Sequence, residues 1–150
     1  MTSPVTNVTG ITRGSYATVN AASVARLGAG MTRNRKSAAA AGTAFELSIA
    51  NYLSFEVDDR IERRVKHGAN DRGDIGGVRV LGNRVVLECK DYGGTIKAGE
   101  WIKEAHTEMG NDDAVAGIVV AKRKGPTKPG EQWVLMTVDD LIALIQGERP

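Results

Sequence analysis

Val85-Val86-Leu87-Glu88-Cys89-Lys90 is an apolar, β-branched run that ends in charge. Its first residues predict a buried strand. Alternation along a strand puts Glu88 and Lys90 on one face and Cys89 on the other. A carboxylate and an ammonium at the end of a core strand are costly unless they are paired or bound to a metal. Of the 18 acidic residues in the chain, Glu88 alone has Lys two positions later.

Upstream of that run, Gly82-Asn83 reads as a tight hairpin turn, so Asp74–Leu81 is the partner strand. Gly76-Gly77 within it allows a bulge or a close backbone approach. Gly68, Asn70, Asp71 and Gly73 make residues 67–73 turn-like. Arg60–Lys66 reads as an earlier strand, with Ile61 and Val65 as its apolar members. From Ser37 the pattern turns helical, and Phe45, Ile49 and Leu53 form an apolar stripe beside Glu46. Downstream, Gly93-Gly94 breaks the chain. Ala98–Met109 reads as a helix with Trp101, Ile102 and Ala105 on one side. Ala116–Ala121 is a buried strand, Lys122–Gly130 a basic loop and Gln132–Val138 a further strand. A last helix, Leu141–Ile145, is capped by Asp139 or Thr137. The order predicts an α/β fold, a central mixed sheet of about five strands flanked by helices.

Composition bounds the rest. The 150 residues suffice for one domain with a real core. No apolar run is long enough to span a bilayer, and no signal pattern is visible, so neither membrane insertion nor secretion is expected. The single Cys89 excludes an intramolecular disulfide and fits a reducing cytosol. One Cys and two His cannot build a Cys/His zinc module. Residues 1–40 carry five basic residues and no acid, whereas the remainder is net −3. Residues 1–32, poor in large apolar groups, read as a flexible basic arm with a polyanionic partner, and residues 33–150 as the folded domain.

The hairpin brings the start of the second strand beside the end of the third, so Asp74 is expected near Glu88 and Lys90. Two converging carboxylates suit Mg²⁺ or Mn²⁺, and the backbone carbonyl of Cys89 is a further candidate ligand. Glu46 is placed to reach the metal through a water or to help deprotonate the nucleophile. Lys90 would orient the water or stabilise charge on phosphorus. These parts predict a metal-assisted phosphodiester hydrolase. Two alternatives stay open: Thr43-Ala44-Phe45-Glu46 also matches a helix capping box, and Asp71 would replace Asp74 if the register were different.

Gly42-Thr43-Ala44-Phe45-Glu46, Asn70-Asp71-Arg72-Gly73-Asp74-Ile75 and Val86-Leu87-Glu88-Cys89-Lys90 together resemble the PD-(D/E)xK nuclease superfamily, most of all its archaeal and phage-type Holliday junction resolvases. The resemblance covers roughly residues 33–125. It implies a restriction-endonuclease-like fold, a homodimer, and Mg²⁺-dependent cleavage of branched DNA in a bacterial or phage-infected cytoplasm. By similarity, Glu46 is the helix glutamate, Asp74 and Glu88 the metal-binding acids and Lys90 the catalytic lysine. Gly73 stands where the family has proline, and the basic arm departs from the compact resolvase pattern. Arg33, Arg35 and Lys36, just before the first helix, are candidate phosphate contacts, as are Arg63, Arg64, Lys66, Arg72, Lys122, Arg123 and Lys124. Other substrates on the same core (flaps, forks, duplex ends, RNA) and a non-catalytic DNA-binding role are the competing readings.

Overall fold

The computed structural model describes residues 34–65, 68–126 and 128–150. The basic arm, Arg33 and Lys66 lie outside the described residues. Helix α1 spans Arg35–Glu56, and the side chain of its N-cap Asn34 accepts from the N–H groups of Lys36 and Ser37. It therefore begins at Arg35, ahead of the expected Ser37. Thr43 and Glu46 fall inside the helix, which removes the capping box as the account of Glu46. Phe45, Ile49 and Ala50 are buried along its inner face.

The strands are β1 (Glu62–Arg63), β2 (Ile75–Gly76), β3 (Arg79–Val80), β4 (Asn83–Lys90), β5 (Ala116–Ala121) and β6 (Trp133–Leu135). They form a mixed six-stranded sheet in the order β1-β2-β4-β5-β6, with β3 paired to β4. The expected single strand 74–81 is divided into β2 and β3. The reason is Gly77, which has φ +83° and whose missing Cβ would lie 2.4 Å from the carbonyl oxygen of Arg60. Only glycine fits that bend and that approach. The first strand is also shorter than the expected Arg60–Lys66.

Strands β4 and β5 run parallel, from Val85 against Ala116 to Lys90 against Ala121, and the other pairs are antiparallel. Helix α2 (Ala98–Asn111) makes the crossover that a parallel pair requires. Alternation along β4 sorts its side chains between two cores. Val85, Leu87 and Cys89 join Ile75, Phe45, Ile49 and Ala143 on the side of α1. Trp101 and Ala105 of α2 pack on Val119 and Ala121 across the sheet. Register partners share a face, so Glu88 (opposite Val119) and Lys90 (opposite Ala121) look toward α2. The final helix α3 (Val138–Gln146) is capped by Thr137 rather than Asp139, in a reciprocal box with Asp140.

Candidate functional site

Strand β2 ends where β4 continues, and the site is built on that mismatch. Ile75 pairs with Leu87, and the N–H of Asp74 donates to the Leu87 carbonyl at 3.0 Å. The ladder thus sets Asp74, not Asp71, across from Glu88. The chain then turns away at Gly73, whose φ of +86° lies outside anything proline can adopt. A Cβ at Gly73 would sit 2.8 Å from Val86 Cγ1, so the local backbone excludes the proline that the resemblance would place at this position. With β2 exhausted, the N–H of Cys89 donates instead to the Asp74 carboxylate at 2.9 Å. Asp74 and Glu88 are each 2 % exposed and Lys90 is 8 % exposed.

Helix α2 supplies two acids that sequence reading passed over. Lys90 Nζ donates to Glu88 Oε1 at 2.9 Å and to Glu104 Oε2 at 2.7 Å. Glu108, one turn beyond Glu104, is buried. It occupies the next inward position after Trp101 and Ala105, at the i, i+4, i+7 spacing of the apolar stripe. A glutamate in a slot reserved for apolar residues was the available signal. One oxygen from each of Glu88, Glu104 and Glu108 lies within 4.8 Å of the others. Oε2 of Glu88 and Oε2 of Glu108 are buried, and among the described residues no N–H or hydroxyl donates to either.

Charge in this pocket is unbalanced. Burial and the nearby Asp74 carboxylate push the Glu88 carboxyl up to about 9. Burial raises Glu108 to about 7, against the lowering effect of its hydrogen bond with Glu88 and with the charges of Asp71, Glu104 and Asp74 adding to the rise. Burial works against the charge on Lys90, but its hydrogen bonds to Glu104 and Glu88 prevail and hold its pKa above the usual lysine value. The ammonium is therefore a permanent charge, while the carboxyls resist ionising together.

The remaining expected residues divide by environment. Glu46 is buried on the α1 side, where Arg63 Nε donates to it at 2.7 Å. Arg63 pairs with Ile75, so this ion pair lies on the sheet face opposite Glu88 and Lys90. Arg64 is bound to the Arg72 carbonyl and to Asp112. Arg72 itself is exposed, 4.0 Å from Asp112. Lys122 donates to Asp91 at 2.7 Å and lies over the Phe45 ring. Arg123 stacks on Trp133 and donates to the Glu131 carbonyl. Arg35 and Lys36, in the first turn of α1, and Lys124 are exposed.

No family model, curated protein or solved structure matches this chain. Its chemistry must therefore be argued from the site. Glu88, Glu104 and Glu108 form a carboxylate group that could hold a metal ion, and oxygen-only ligands are the kind that hard cations take. Among the described residues no helix is long and apolar enough to cross a membrane.

Proposed function

We propose that this chain is a metal-dependent DNA endonuclease of the PD-(D/E)xK kind, on a restriction-endonuclease-like sheet, acting as a homodimer on four-way junctions. The observation that carries this reading is the burial of Asp74, Glu88 and Lys90 together at the ends of adjacent strands. Burying such a cluster is unfavourable for folding, and chemistry is the usual compensation.

Asp74 and Glu88 are the ligands proposed for Mg²⁺, with Mn²⁺ as substitute and the Cys89 carbonyl as a further oxygen. Bound there, the ion supplies Lewis-acid polarisation of a phosphoryl oxygen and a more acidic water. Lys90 has a narrower task. Its raised pKa makes it a poor base, so it stabilises negative charge growing on the phosphate. Glu88 and Glu104 hold the ammonium in place for that role. Glu46 serves as a positioning residue, fixing Arg63 on β1 beside β2. Arg35 and Lys36 add charge to the positive end of the α1 dipole and are the proposed grips on flanking phosphates.

The test is incubation with a synthetic four-way junction, a fork, a flap, linear duplex and RNA, in Mg²⁺ and in EDTA. The reading expects Mg²⁺-dependent cutting with the junction preferred. Equal cutting of linear duplex would remove junction selectivity, and no metal-dependent cutting of any substrate would remove the nuclease.

A further inference from the structure

The structure assigns a second divalent-cation position to Glu88, Glu104 and Glu108, between the end of β4 and helix α2. It is distinct from the position proposed between Asp74 and Glu88, and it stands on carboxylate geometry rather than on DNA cleavage. Three features support it. Ligand oxygens from the three residues lie within 4.8 Å of one another. Oxygens on opposite sides of a bound ion are about 4.2 Å apart for Mg²⁺ and about 4.6–5.2 Å apart for Ca²⁺. Three carboxylate oxygens inside the 4.8 Å bound are compatible with one shared hard-cation shell.

The second feature is independent of clustering. Glu88 is 2 % exposed and Glu108 is 6 % exposed, yet each has a buried oxygen that no N–H or hydroxyl among the described residues meets. Without a metal the two carboxyls share a proton across their mutual hydrogen bond, which offsets the cost of burying them unmet; a divalent cation bound here takes that proton's place. The third is the disposition of Lys90. Its ammonium occupies Glu88 Oε1 and Glu104 Oε2, and so leaves Glu88 Oε2 free of it. Glu104 has a side chain 47 % exposed and provides the way in from solvent.

Titration with Mn²⁺ alone, read by loss of the free-ion electron paramagnetic resonance signal, tests this on the full chain. The native chain is expected to bind about two ions, as in two-metal sites generally. Glu104→Gln and Glu108→Gln should each bind one fewer. Asp74→Asn should lose the other ion and keep this one. If the native chain binds a single ion that Asp74→Asn retains and Glu104→Gln loses, the α2 site stands and the Asp74 site falls. Native binding in both Gln variants would overturn the assignment. Because Glu104 is half-exposed, Glu104→Gln decides the matter should Glu108→Gln fail to fold.

Discussion

Without divalent ions, this protein should lose stability as pH rises from 6 to 8. The group responsible is Glu88, whose carboxyl is pushed up to about 9 by burial and by Asp74. An unfolded glutamate titrates near 4.3. Between those values the native state holds a proton that the unfolded chain has released. A raised folded pKa stabilises fully below the unfolded value, and that contribution declines as pH climbs toward the folded one. One retained proton corresponds to about 1.4 kcal/mol per pH unit, hence about 3 kcal/mol between pH 6 and 8. Glu108, raised to about 7, steepens the lower half of that window. Typical domains have only about 5–15 kcal/mol in total, so the change is measurable. The groups with depressed values, Asp58 and Asp140, titrate below the window, and Lys90 titrates above it. Urea unfolding in EDTA at half-unit pH steps is the assay, with Glu88→Gln as control. The variant should flatten the curve, and Mn²⁺ at about 100 times its Kd should restore roughly 2.7 kcal/mol. A flat native profile, or an unchanged slope in Glu88→Gln, refutes the reasoning.

Three further outcomes follow. Asp140→Ala should cost about 2–4 kcal/mol, from the lost reciprocal half of the capping box, which leaves the Thr137 N–H without its carboxylate, and an unsatisfied Gly117 N–H. Hydrogen bonds from Thr137 and His106 outweigh burial and depress the Asp140 pKa; its contribution is lost as pH falls, so the gap between native and variant in denaturant titrations should narrow below about pH 4. Gly73→Pro should destabilise by more than about 1 kcal/mol, because proline cannot take φ +86°; a native-like melting curve would contradict the backbone account of this position. Asp74→Asn should abolish cleavage in Mg²⁺ while leaving the far-ultraviolet circular dichroism of the native fold.

Much of the fold was legible because hydrophobic period is local. Helix α2 and strand β5 follow directly from Trp101–Ala105 and the unbroken run Ala116–Ala121. The division at Gly77 was only half visible: a glycine pair signals a close approach, but the backbone it meets, at Arg60, is distant in sequence. The pairing of Asp74 with Glu88 was readable, since a hairpin and alternation suffice to place it. Glu104 and Glu108 were not read, because a crossover helix shows which face it buries but not which strand end it covers. The same limit applies to the basic residues. Sequence shows the charge on Arg63, Arg64 and Lys122, whereas their partners Glu46, Asp112 and Asp91 come together only in the folded chain.

The central claim is that the ion pair ending β4 performs phosphodiester chemistry. Its most direct test is cleavage of a labelled four-way junction by the native chain and by Lys90→Ala, in Mg²⁺ and in EDTA. The account predicts cutting by the native chain in Mg²⁺ alone and at least a hundredfold loss in Lys90→Ala, on the order of the effect of removing one preorganised electrostatic group. Undiminished cutting by Lys90→Ala, or no cutting by the native chain, would contradict it.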